Sequence, residues 1–169
     1  MRITIIGHCG SGKSTLAAQI SEKLHIPYLH LDRLWFEAGG HVVPKSDTVA
    51  RKKMDETIRE RAQEFVRQDA WVSDGWHGTI QPVIVERADQ IVFLDIPLWR
   101  RVWNHIYRIF FTTRHAELTK WQDFKFTWQI IRRTYRHGPA MRAFIHEHAD
   151  KVVTLRNYAA VKRYVAGLQ

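Results

Sequence analysis

Five short apolar runs are spread along the chain, and the gap between each pair is wide enough for a helix. Arg2-Ile3-Thr4-Ile5-Ile6 is β-branched and reads as a buried strand. Ile26-Pro27-Tyr28-Leu29-His30-Leu31 reads as a second strand ending at Asp32, and Ala70-Trp71-Val72-Ser73 as a short third, broken by Asp74-Gly75. Gln90-Ile91-Val92-Phe93-Leu94 is a fourth, closed by Asp95 and Pro97, and Lys151-Val152-Val153-Thr154-Leu155 a fifth. Between them the apolar spacing changes from two to nearly four. Leu16, Ile20 and Leu24, with Ala17 beside them, mark a helix after the first run. Ser46-Asp47 offers a cap for a charged helix over Thr48 to Gln68. Thr79 to Arg87 is a short helix with Pro82 in its first turn, where proline is tolerated. Leu98 to about Arg136 is helical with a break near Thr112-Thr113. Gly138-Pro139 punctuates it before another short helix, and Tyr158 to Leu168 closes the pattern. Strands alternating with helices predict a parallel sheet covered on both faces.

The first strand and first helix are joined by Gly7-His8-Cys9-Gly10-Ser11-Gly12-Lys13-Ser14, which fits G-x-x-x-x-G-K-[ST], the P-loop pattern. Gly7, Gly10 and Gly12 let the backbone turn tightly and bring its N–H groups to an anion. Together with Ser11 and the positive end of the following helix they make a phosphate nest. Lys13 is expected to reach the β- and γ-phosphates of ATP, and the Ser14 hydroxyl to ligate Mg2+. In open α/β sheets ligands bind outside the carboxyl ends of the strands. Asp32, Asp74 and Asp95 all fall there. Asp74 is expected to orient magnesium-bound water or the acceptor hydroxyl, Asp32 to meet the acceptor, and Asp95 to cap the helix that follows.

Charge adds a third feature. Across 169 residues, 26 Lys and Arg stand against 17 Asp and Glu, a net +9. The segment from Arg100 to Arg136 carries much of the surplus, interleaved with aromatics from Trp103 to Tyr135. One reading is a lid whose arginines, with Arg132 and Arg133 on the returning helix, neutralise a transferring phosphoryl group. A second is a nucleic-acid surface. The aromatics do not discriminate, because a helical hairpin needs a core of its own. A single cysteine, Cys9, excludes a disulfide framework. No apolar run is long enough to span a membrane, and the default reading is a soluble cytoplasmic protein. The ten histidines show no H-E-x-x-H pattern, and no Asn-Lys-x-Asp marks a guanine-specific site. No linker divides the chain, so residues 1–169 are expected to form one domain with a helical insertion at about 98–137.

Residues Ile5-Ile6-Gly7 through Ser14, Tyr28 to Trp35, Trp71-Val72-Ser73-Asp74-Gly75 and Leu94-Asp95-Ile96-Pro97-Leu98-Trp99-Arg100-Arg101 carry a family likeness. In these the chain resembles the adenylate-kinase-related P-loop proteins of the DNA topology modulation (FlaR-like) group. The resemblance implies a nucleoside-monophosphate-kinase-like fold with a five-stranded parallel sheet in order 2-3-1-4-5. It further implies ATP and Mg2+ binding, an acceptor region after strand two where Asp32 and Arg33 fall, and a lid after strand four, where Arg100 is expected to meet the nucleotide. The loop after strand five, with Arg156, would border the adenine. Adenylate kinases follow their Asp-Gly with a Pro-Arg pair that holds the acceptor nucleotide. Here Trp76-His77-Gly78 stands in its place, leaving the acceptor open. Two functions compete: a kinase for a small nucleotide-like or hydroxyl acceptor, and an ATP-binding regulator that contacts DNA through the basic helices.

Overall fold

The computed structural model describes residues 1–44, 46–78, 80–111 and 120–168; side chains at 105, 108–111, 120–127, 129, 130 and 133 are outside that description. Five strands form one parallel sheet: β1 (Arg2–Gly7), β2 (Tyr28–His30), β3 (Trp71–Asp74), β4 (Gln90–Leu94) and β5 (Val152–Leu155). Their order is β2-β3-β1-β4-β5, as expected from the resemblance. The register pairs Ile5 with Asp74 on one side of β1 and Gly7 with Leu94 on the other. The carboxyl ends of the three central strands therefore lie side by side at one edge of the sheet.

The helices are α1 (Lys13–Leu24), α2 (Leu31–Glu37), α3 (Thr48–Phe65), α4 (Gln81–Arg87), α5 (Leu98–Phe111), α6 (Lys120–Glu147) and α7 (Tyr158–Gly167). Alternation along β1 sorts its side chains between two faces. Ile3 and Ile5 pack with Leu16, Ala17 and Ile20 of α1 and with the partly buried apolar face of α7. Ile6 faces the other way, against Val85 of α4 and Met141 of α6. On that other side Trp71, fully buried, joins Ile58 and Ala62 of α3 and Ile84 of α4. Each fully buried Ile or Leu contributes roughly 1.5–3 kcal/mol from removal of its surface from water.

Three local expectations are corrected. The second strand is shorter than its apolar run, because the His30 side chain accepts from Arg33 N–H and starts α2 at Leu31. Asp32 thus sits in the first turn of a helix, where a negative charge suits the helix dipole, and not at a strand end. Asp74 lies within β3 itself. Gly138-Pro139 does not end a helix: α6 runs through it to Glu147. Tertiary packing outweighs the bond lost at proline, since Gly138 is buried against His8 and Met141 is locked into the core. The expected break at Thr112-Thr113 lies outside the described residues.

Candidate functional site: a phosphate cradle facing a buried carboxylate

The loop between β1 and α1 has the backbone its glycines predict. Gly10 and Gly12 sit at φ 79° and 93°, in the left-handed region that disfavours side chains. A Cβ on Gly7 would come within 2.9 Å of Leu94 O, so the loop also needs glycine to lie this close to β4. Ser11 is fully buried and its hydroxyl has no hydrogen-bond partner among the described residues. An unpaired buried hydroxyl within a ring of backbone amides is what a phosphate-binding loop offers its ligand. Lys13 opens α1 and its Nζ donates to His8 O at 3.1 Å, folding back over the loop.

Opposite the loop stands Asp74, about 1% exposed. Its two oxygens are served from two different elements. Ser14 Oγ donates to Oδ2 at 2.7 Å, and Tyr28 Oη donates to Oδ1 at 2.7 Å. His30 completes the cluster, with Nε2 3.5 Å from Ser14 Oγ and Nδ1 3.6 Å from Asp74 Oδ1. Burial first, and then the hydrogen bond to Asp74, push the Tyr28 phenol far above its ordinary value, so it stays protonated and remains a donor. Ser14 and Asp74, expected from sequence to share a magnesium ion, are thus brought into contact. Their oxygens are the hard donors Mg2+ prefers. Among the described residues no cluster of three or more His, Cys, Asp or Glu forms a metal cage. That fits an ion bound by one or two protein groups plus substrate phosphates and water.

Arg101 and Arg100 diverge. Arg101 is 2% exposed and runs beneath the loop. Its Nε donates to Ile96 O at 2.9 Å and one terminal nitrogen to Thr134 Oγ1 at 2.8 Å, with Cys9 O at 3.5 Å. Among the described residues it forms no ion pair with a carboxylate. Its charge therefore reinforces the positive field of the loop. Burial, then Arg101, Lys13 and Arg142, push the neighbouring His8 imidazole down to about 4, so it is neutral near pH 7. Arg100 is exposed, with its guanidinium 4.8 Å over the Trp99 ring.

Arg100 and Arg156, named from opposite ends of the sequence, line one cavity of about 420 Å³ with Trp99, Asn157 and Tyr158. Tyr158 links that cavity to the loop. Its ring is the nearest neighbour a Cβ on Gly12 would meet, and its hydroxyl takes a hydrogen bond from Asn104, whose amide also lies 3.5 Å from Gly10 O.

The side chains of the remaining expected residues make no hydrogen bond to this cluster among the described residues, although the charge of Asp32 reaches Tyr28 and that of Asp95 reaches His8 and Arg101. Asp32 and Arg33 lie exposed on α2, and Arg33 pairs with Glu37 at 2.7 Å. Asp95 is exposed after β4. Arg132 is exposed on α6, while the side chain of Arg133 lies outside the described residues. Tyr28, His30, Asn104 and Tyr158 join the site without having been singled out for it, while Arg101 was one of several arginines after strand four expected to face the loop. The available signal was weak: Tyr28 and His30 alternate on a strand beside Asp74, and an arginine pair opens α5.

No family model matches this chain, and no curated protein matches it in sequence. Solved structures do. A shikimate kinase from Bacteroides thetaiotaomicron superposes with TM-score 0.60 at 18% identity, over 98% of this chain and 94% of that one. A shikimate kinase from Acinetobacter baumannii in complex with shikimate gives TM-score 0.61 at 16% identity, over 98% of this chain and 88% of that one. TT1252 from Thermus thermophilus gives TM-score 0.58 at 20% identity, over 100% and 98%. At such identities the likeness is one of fold: the chain has the architecture of the shikimate-kinase-like P-loop kinases.

Proposed function

We propose that this protein is an ATP- and magnesium-dependent phosphotransferase, working in the cytoplasm, that moves the γ-phosphoryl group to a small nucleotide-like or hydroxyl acceptor. The observation that carries this is the 2.7 Å contact between Ser14 Oγ and Asp74 Oδ2 beside the glycine loop. A metal-binding hydroxyl, a buried carboxylate and an anion nest meet where a triphosphate would end. Gly7, Gly10, Ser11, Gly12, Lys13 and Ser14 hold the phosphates in this reading. Ser14 and Asp74 hold Mg2+, Asp74 through water. Bound magnesium supplies Lewis-acid polarisation of the phosphoryl oxygens. Arg100 and Arg156 flank the adenine at the cavity they line. Asp32 and Arg33 meet the acceptor. Residues 98–137 form the lid, from which Arg132 and Arg133 close on the transferring group. The structure of a shikimate kinase in complex with shikimate supports a small-molecule acceptor for this fold. We place the chain nearest the adenylate-kinase-related, FlaR-like group on its motifs.

Purified protein with ATP, Mg2+ and a panel of nucleosides, nucleotides and hydroxy-metabolites tests the assignment. Phosphorylation of one acceptor class well above ATP hydrolysis in water is expected. Absence of nucleotide binding overturns the reading.

A second reading rests on a specific surface. Trp99, Trp103 and Tyr107 follow one another at helical spacing on α5, and Trp128 and Tyr135 flank Arg132 on α6, all at least half exposed. Aromatics with arginine on one face suit single-stranded DNA. Replacing Arg132 and Arg133 together separates the readings. A lid predicts lower turnover at unchanged ATP affinity. A DNA surface predicts weaker DNA binding with a flatter salt dependence.

A further inference from the structure

One part of the cluster has no role in the phosphotransfer reading above. Tyr28 and His30 are two apart on β2, so both rings project from the same side of the sheet. Register places His30 opposite Asp74 and Tyr28 opposite Val72 on β3. The two rings lie 6.1 Å apart at 29° and form a wall along the Asp74 carboxylate. We propose that Tyr28 and His30 are positioning residues: Tyr28 fixes the plane of the Asp74 carboxylate and His30 fixes the Ser14 hydroxyl, together pre-setting the pair that meets magnesium. The inference rests on the phosphotransfer reading and names residues that reading does not use.

The geometry gives each residue a separate task. Asp74 Oδ1 takes its short hydrogen bond from Tyr28, leaving Oδ2 as the oxygen turned to Ser14. A phenol hydroxyl donating to a carboxylate at 2.7 Å makes a short, charge-assisted hydrogen bond that holds the carboxylate in place. His30 Nδ1 accepts from Arg33 N–H at 3.4 Å, as the cap of α2. The same Nδ1 lies 3.6 Å from Asp74 Oδ1, while Nε2 faces Ser14 Oγ at 3.5 Å. The ring thus spans both members of the pair, and the Ser14 proton points at Asp74 Oδ2. The same imidazole starts α2, which carries Asp32 and Arg33. The metal pair and the helix assigned to the acceptor thus share one fixed ring. Outer groups of this kind tune metal sites strongly, and losing one costs about 10- to 100-fold in metal affinity or activity.

The test measures binding, not turnover. A non-hydrolysable ATP analogue is titrated calorimetrically with and without Mg2+, and the ratio of the two affinities is the magnesium gain. Tyr28→Phe keeps the ring and removes only the hydroxyl. Its affinity without Mg2+ is expected within about twofold of the parent, while the magnesium gain falls about 10-fold. His30→Asn keeps a good cap for Arg33 N–H but is too short to reach Ser14, and its gain falls in the same direction by less. Thermal melts without metal report whether each variant folds. A parent that does not bind the analogue overturns the nucleotide reading and this inference with it. A parent with a magnesium gain that either folded variant retains in full overturns the inference alone. So does a Tyr28→Phe that weakens equally with and without Mg2+, because that is loss of packing. If Tyr28→Phe does not fold, His30→Asn decides.

Discussion

The strand-end cradle and the α5–α6 pair both carry positive charge, yet they hold it in opposite ways. In the cradle the charged side chains are fixed. Asp74 is pinned by Ser14 and Tyr28, Lys13 is folded onto His8 O, and the loop follows the positive φ of Gly10 and Gly12. On α5 and α6 most described arginines are exposed, among them Arg100, Arg132 and Arg136, beside exposed aromatics. Arg101 is the exception that joins the two regions, reaching Thr134 on α6 and Ile96 before α5. The difference is one of reorganisation. Groups locked before the ligand arrives need not be ordered during the reaction, whereas surface groups act only after the chain moves or a partner docks.

Changes in the cradle are expected to be large and specific. Lys13→Ala removes a phosphate contact and no core packing. Turnover with ATP should fall about 1,000-fold with an unchanged circular dichroism spectrum, a loss at the upper end for one charged contact. Unaltered turnover would mean that the loop does not hold a triphosphate. Asp74→Asn keeps shape and loses charge, so turnover should drop about 100-fold while affinity for ATP without Mg2+ changes little. Equal loss in both would move Asp74 from the reacting end to general nucleotide binding.

Titration probes the seam between the regions. The His8 imidazole is pushed down to about 4 from an ordinary 6.5, so the unfolded chain binds its proton more readily. The stability this contributes is complete above pH 6.5 and is lost as pH falls through 4, up to about 3 kcal/mol. Denaturant melts across that window should show the decline, and His8→Gln should flatten it. A parent whose stability stays level from pH 6.5 to 4 would refute a neutral buried His8. The smallest effect is expected at Arg101. Arg101→Lys retains the charge, but a single ammonium cannot reproduce the planar fork that serves Ile96 O and Thr134 Oγ1 together. Stability should fall by about 2 kcal/mol. No change in the denaturation midpoint would show that the two regions are not coupled there.

How far the sequence revealed the site follows from the range of the interactions. The loop was legible because its function resides in contiguous backbone, and glycine spacing records backbone conformation directly. The strand order came with the family likeness, and the five apolar runs agree with it in number. The start of α2 was misread because Tyr28-Leu29-His30-Leu31 alternates like a longer strand, while the deciding interaction is a side-chain cap from His30 to Arg33. The helix through Pro139 was hidden because its support comes from residues distant in sequence: His8 beside Gly138, and Ile6 and Val85 around Met141. Arg100 and Arg101 could not be told apart, since neighbours on a helix point about 100° apart and only the packed fold says which turns inward. The Asp74 cluster was half legible. The carboxylate announced itself before a glycine and was expected to meet Ser14, but Tyr28 and His30 on β2 reach it only through the pairing of β2 with β3.

Tyr158 carries a consequence for the order in which this molecule becomes competent. It lies beside Gly12, accepts from Asn104 and lines the cavity with Arg100 and Arg156. Lys23 at the far end of α1 donates to Val165 O and Ala166 O of α7. A ribosome releases residues 7–14 long before residues 152–168, so the loop exists for most of synthesis without that wall. The cavity beside the loop is then the last part of the fold to close, when β5 and α7 dock.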